Sequence, residues 1–279
     1  MKMLGMGRKS ETAMQHGKHV LVEKPLATTV AEGRAMVDQA RKSNVVLMVG
    51  HTFLYNPAIR ELRRRVRSGE LGEVRYIHCA RLNLGPYRSD VDVFWDLAPH
   101  DISVMNYLLD AMPVSATAWG DSLAFGSLND LAYVRLEYEN PKIIGAAHVS
   151  WLDPRKTRTV TVVGSQQMAV FDDLSPEPLR IFDRGLAAVD AASPDRPITY
   201  RYGDIVAPHI RTDEPLAVQD RHFVESVLSG KAPDTDGLNG LSVVAVLAAA
   251  RESARRKMPI ALGDIPDLVR TEELLGSAA

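Results

Sequence analysis

The sequence predicts an α/β protein in which a short parallel-sheet segment leads into an α+β domain with a large, mostly antiparallel open sheet. Two apolar runs, residues 19–23 and 45–49, flank a helical pattern. Strand, helix and strand in that order form a βαβ unit, with parallel strands and a right-handed crossover. From residue 73 the texture changes to many short β-like runs separated by turn signals, the pattern of antiparallel pairing.

The first run, His19-Val20-Leu21-Val22-Glu23, fits a strand buried on both faces and stops at Pro25, because proline cannot donate to a sheet ladder. Thr29-Val30-Ala31-Glu32 is a capping-box pattern that opens a helix expected to end near Ser43-Asn44. The second run, Val45 to Val49, ends at Gly50. Asn56 as cap and Pro57 at the first helical position start another helix, with Ile59, Leu62 and Val66 on one side. Arg60, Arg63, Arg64, Arg65 and Arg67 crowd the rest of it. The interleaved Glu61 and Glu70 favour a solvated face over a phosphate site.

A long strand is expected from Val74 to about Asn83, followed by strands at 114–119, 130–138, 143–151, 158–164 and 168–171. Glu139-Asn140-Pro141 and Asp153-Pro154 read as turns between them. Residues 184–213, rich in Asp, Pro and Arg, read as an irregular surface excursion, and closing helices fall near 215–229 and 238–256.

Composition excludes several classes. The 279 residues carry 33 Lys or Arg and 35 Asp or Glu, a net charge of -2, without the basic surplus of a nucleic-acid protein. No run approaches the roughly 20 apolar residues of a membrane span, and the N-terminus has no apolar stretch of a secretory signal. One cysteine, Cys79, excludes an internal disulfide framework and a cysteine-based zinc site. A soluble, cytoplasmic protein that binds neither metal nor nucleic acid is expected.

Three segments bring reactive groups together. Glu23-Lys24-Pro25 lies at the carboxyl end of a parallel strand, the edge at which open α/β sheets bind ligands. Gly50-His51 leaves the neighbouring strand at the same edge, and Trp95-Asp96-Leu97-Ala98-Pro99-His100-Asp101 leads into a third helix. Proline is tolerated in a helix's first turn, so His100 falls near the start of that helix and Asp96 just outside it. A helix N-terminus disfavours positive charge and pushes His100 toward a neutral, proton-accepting imidazole. Asp96 either orients that ring, shares the substrate hydroxyl, or merely caps the helix. Lys24 offers a fixed positive charge to an alkoxide or a cofactor ribose. Tyr55 and Trp95 have core readings beside functional ones.

In order and spacing these segments resemble the Gfo/Idh/MocA oxidoreductases, the glucose–fructose oxidoreductase and inositol dehydrogenase family. The matching text is Gly17 through Ala27, Gly50-His51, and the Asp96-x-x-x-His100 pattern, with echoes at His148-Val149-Ser150-Trp151 and Val162-Val163-Gly164-Ser165. The stretch from Arg81 to Gly85 and on through Asp101 is similar to a subgroup acting on sugars or nucleotide-sugars. The resemblance implies an NAD(P)-dependent dehydrogenase, in which Lys24, Asp96 and His100 are catalytic. It implies that Glu23, Lys24 and His51 bind NAD or NADP. Tyr55, Arg81 and Asn83 are expected to contact substrate, since strand ends should bring them to the same cleft. A homo-oligomer is expected too.

In the family, a glycine-rich strand–turn–helix precedes the Glu-Lys-Pro strand, yet only 22 residues precede Glu23 here, less than the roughly 30 of one βαβ unit. Residues 1–50 are therefore expected to be a remnant of the NAD(P)-binding Rossmann domain, without its pyrophosphate site, and 51–279 the substrate and oligomerisation domain. Three readings stay open: a truncated sugar dehydrogenase, a cofactor-free binding or oligomerisation module, and a lyase or isomerase using the same pocket. On the first reading the chain as written binds NAD(P) poorly and self-associates.

Overall fold

The computed structural model describes residues 6–266 apart from 125, 140–141, 187–198 and 212. Helix α1 (Met6–Gln15) precedes β1 (Val20–Glu23), α2 (Val30–Ser43) and β2 (Leu47–Gly50). β1 and β2 pair in parallel, Val20 opposite Leu47 and Glu23 opposite Gly50. Lys24 and His51 therefore leave adjacent strands at one edge, as expected. Thr29 Oγ1 accepts the Glu32 N–H at 3.2 Å, while the Glu32 carboxylate reaches past the cap to the Thr28 N–H, also at 3.2 Å. Asn44 ends α2 in the left-handed conformation, which asparagine tolerates better than most residues.

A 3-10 turn (Thr52–Tyr55) leads from β2 into α3 (Pro57–Arg67), capped by Asn56 Oδ1 on the Ala58 N–H at 2.9 Å. The arginines of α3 form the solvated face the sequence predicts. Arg64 and Arg65 pair with Glu61 and Glu70, Arg63 and Arg67 with Asp110, and Arg60 with Asp234.

The long strand β3 (Val74–Leu84), the short α4 (Val93–Asp96) and α5 (Ala98–Leu109) follow. Then come β4 (Ser115–Asp121), β5 (Leu131–Tyr138), β6 (Ile143–Ser150), β7 (Leu152–Gly164), β8 (Met168–Asp172), β9 (Leu179–Leu186) and β10 (Tyr200–Val206). Helices α6 (Pro215–Ser229) and α7 (Gly237–Arg256) and the two-residue β11 (Ile260–Ala261) close the described chain. β3 to β11 form one nine-stranded sheet in the order β10-β9-β8-β7-β3-β6-β5-β4-β11, in which only the β3–β6 pair is parallel.

Alternation decides which face of this sheet is covered. Ile77 and Cys79 of β3, Ala132, Val134 and Leu136 of β5, and Ala147 and Val149 of β6 are buried on the face toward α5 and α7. Tyr76, Trp119 and Tyr133 stand exposed on the other face. α7 also reaches the parallel strands. Thr235, just before it, accepts the Val49 N–H and donates its hydroxyl to the Val49 carbonyl, both at 2.8 Å. A Cβ on Gly240 would lie 2.5 Å from Val49 Cγ2, so only glycine lets α7 approach β2 this closely.

Two sequence expectations are corrected. β7 starts at Leu152, not 158, and runs through Asp153-Pro154. Its pairing with β3 jumps from Leu152 to Thr157, so Pro154 needs no ladder N–H. Within the expected irregular excursion 184–213, β9 extends to Leu186 and β10 pairs with it antiparallel. The strand signal was hidden because β10 is an exposed edge without a buried face; residues 187–198 lie outside the described chain.

Candidate active site

The ends of β1 and β2 and the α4–α5 helix pair converge at one edge. Lys24, half-buried, donates from Nζ to the backbone carbonyl of Asp96 at 2.6 Å and lies 3.7 Å from its Oδ1. Burial lowers the Lys24 pKa; Asp96 opposes this, while Arg81 and Arg88 add to it. His51 is completely buried, and neither ring nitrogen has a protein partner. Burial, then the Lys24 charge, brings its pKa down to about 3, so the ring is neutral at physiological pH.

His100 occupies the first turn of α5, as the position of Pro99 predicts. Its ring meets Phe53 edge-on, with centroids 5.3 Å apart, and its Nδ1 is buried without a partner. Burial holds its pKa well below the usual value, with Arg81, Lys24, His51 and Arg158 pushing the same way. It is a neutral imidazole at physiological pH.

The helix-cap reading of Asp96 is corrected. It ends α4, whose cap is Asp92, and the residue preceding α5 is Leu97, which offers no side-chain bond. Nor does Asp96 orient the His100 ring. Its Oδ1 accepts from Arg88 at 3.3 Å and its Oδ2 from the Trp151 indole at 3.1 Å. Sequence reasoning missed Arg88 because an irregular connection separates it from Asp96, which leaves no periodic signal. Trp151 stood in a quoted echo of the family but carried no role.

Arg81 is buried, with Nε and Nη2 both donating to Asp101 Oδ1, at 3.1 and 3.0 Å. Its guanidinium lies 4.3 Å from the centroid of the Phe53 ring, which also touches His100. Asn83, two residues further along β3, is half-buried, and Glu23 is exposed at the end of β1. Tyr55 is not brought to this edge. Its ring is fully buried and its hydroxyl meets Thr235 Oγ1 at 3.1 Å, behind β2. The core reading of Tyr55 therefore holds, because the 3-10 turn rotates it away from the strand end. Trp95 is likewise buried.

Comparison with known proteins shows the family. Residues 9–51 match the oxidoreductase family with an NAD-binding Rossmann fold, and residues 59–170 match the GFO/IDH/MocA C-terminal domain. The two matches follow in order and together span more than half of the chain. The chain belongs to the GFO/IDH/MocA oxidoreductase family. It is 28% identical to a UDP-N-acetylglucosamine 3-dehydrogenase of Acidithiobacillus ferrooxidans, over 87% of this chain and 73% of that protein. An uncharacterized oxidoreductase of Streptococcus pneumoniae is 29% identical, over 47% of this chain and 39% of its own length. A levoglucosan dehydrogenase solved with NADH and levoglucosan superposes with a TM-score of 0.78 at 19% identity, covering 96% of this chain and 79% of the other.

The cofactor of this family is NAD(P), and the edge fits its nicotinamide end. The unpartnered nitrogens of His51 and the Lys24 ammonium offer polar groups to a ribose or carboxamide. No helix among the described residues is long and apolar enough to cross a membrane.

Proposed function

We propose that the protein oxidises a hydroxyl-bearing carbon of a sugar or nucleotide-sugar with NAD(P), with His100 as the general base. The observation that carries this reading is the juxtaposition of the Lys24 ammonium with two uncharged imidazoles, His51 and His100, at the carboxyl edge of a parallel strand pair. When bound, the nicotinamide accepts the hydride from the sugar carbon. The hydroxyl proton passes to a ring nitrogen of His100, which is uncharged before the reaction. Lys24 stabilises the negative charge that grows on the oxygen, and Asp96, held by Arg88 and Trp151, binds the substrate and steadies Lys24. Glu23, Lys24 and His51 hold the nicotinamide ribose. Asn83 contributes to the sugar site. Arg81, tied to Asp101, acts through its packing on Phe53 and through its charge.

The UDP-N-acetylglucosamine 3-dehydrogenase relative supports the substrate class. A module that only binds needs no such trio, which favours an enzyme. Residues 1–50 belong to the cofactor side and 51–279 to the substrate side. The exposed sheet face with Tyr76, Trp119 and Tyr133 receives a second copy of the chain. The test is NAD(P) reduction by the intact natural protein over a panel of sugars and UDP-sugars, with His100→Ala as control. Equal turnover by both would overturn the reading.

A further inference from the structure

The Asp96 carboxylate is held from one side by a chain of contacts that begins far from the cofactor edge. Trp151, buried at the turn between β6 and β7, donates its indole N–H to Oδ2 at 3.1 Å. The Trp151 ring packs against Tyr87, centroids 5.1 Å apart. The Tyr87 hydroxyl donates to Asp130 Oδ2 at 2.9 Å, and the Trp151 backbone N–H donates to the Asp130 carbonyl, also at 2.9 Å. Asp130 is itself fixed, because its carboxylate accepts the Leu123 and Ala124 N–H groups at 2.9–3.0 Å. Asp130 thus anchors both the backbone of Trp151 and the ring packed on its indole.

This arrangement matters because Asp96 has a competing partner. Lys24 Nζ already lies 3.7 Å from Oδ1. Without the indole, Oδ2 is free to rotate toward Lys24 and tighten that loose ion pair. The ammonium would then turn from the alkoxide site toward the carboxylate.

We propose that Trp151 is the positioning residue for Asp96, with Tyr87 and Asp130 clamping the indole so that its N–H holds Oδ2 away from Lys24. The inference rests on the dehydrogenase reading for its effect on turnover but not for the clamp itself.

The experiment uses the intact protein, with its indole N–H resonances assigned from Trp95→Phe, Trp119→Phe and Trp151→Phe. The Trp151 resonance moves in Asp96→Asn and in Tyr87→Phe, and the other two do not. In kinetics, Trp151→Phe lowers kcat about tenfold, in keeping with a misplaced catalytic group. The loss all but disappears in an Asp96→Ala background. Should Trp151→Phe not fold, the clamp is read from Tyr87→Phe, with the Trp151 resonance identified by elimination; it shows the same dependence on Asp96 on a smaller scale. An equal loss in both backgrounds, or a Trp151 resonance indifferent to Asp96→Asn, would overturn the proposal. A wild-type protein that turns over no sugar would instead refute the dehydrogenase reading, while the resonance still decides the clamp.

Discussion

Lys24 Nζ donates to the backbone carbonyl of Asp96, 72 residues away in sequence, at 2.6 Å. The bond ties the end of a parallel strand to the helix pair that carries Asp96 and His100, so the positive charge and the proton acceptor share one frame. The carbonyl fixes the ammonium, while the carboxylate of the same residue stays at the 3.7 Å of a loose ion pair.

Replacing Lys24 by Met is therefore expected to lower kcat/KM by at least about 100-fold, the low end for removing one group that stabilises the growing negative charge. Lys24→Arg should not restore it, because a planar fork cannot present the same compact charge to one carbonyl and an alkoxide. Steady-state kinetics on both variants checks this; recovery by arginine would point to a purely electrostatic role.

His51 makes stability depend on pH. Its pKa is depressed from 6.5 to about 3 in the fold, so on acidification the unfolded chain takes up the proton first. The stabilisation is whole above pH 6.5 and is lost as pH falls toward 3, at about 1.4 kcal/mol per pH unit. Urea titrations across that window should show the slope, and His51→Gln should reduce it by about one proton.

Arg81 and Asp101 form a buried pair, and removing one partner strands the other. Arg81→Leu should cost about 3 kcal/mol in urea unfolding. It should also raise the acid-limb pKa of kcat/KM, because Arg81 is among the charges holding His100 neutral. An unchanged acid limb would separate Arg81 from His100.

Tyr55 gives a contrast. Tyr55→Phe removes one bond to Thr235, which still donates to the Val49 carbonyl. A loss of about 1 kcal/mol with kcat and KM for the sugar unchanged is expected from thermal melts and kinetics.

Much of this was legible in the sequence where pattern and burial coincide. The capped start of α2, Pro57 at the start of α3 and Pro99 in the first turn of α5 all appear where local chemistry puts them. The same proline fixed where His100 stands. What was not legible depends on long-range packing. The partners of Asp96 come from a loop and from a turn 55 residues away, and no periodicity announces either. Tyr55 was expected in the cleft because strand ends should face it, but its side chain is buried against Thr235. β10, exposed at an edge, carries no alternation to read.

Dehydrogenation at this edge is tested most directly by following nicotinamide reduction in the intact natural protein and in His100→Ala, with UDP-N-acetylglucosamine and free sugars as substrates. Wild-type reduction with at least one of these, lowered about 100-fold or more in His100→Ala, is the predicted result. Equal reduction by both proteins would contradict the assignment of His100 as the base.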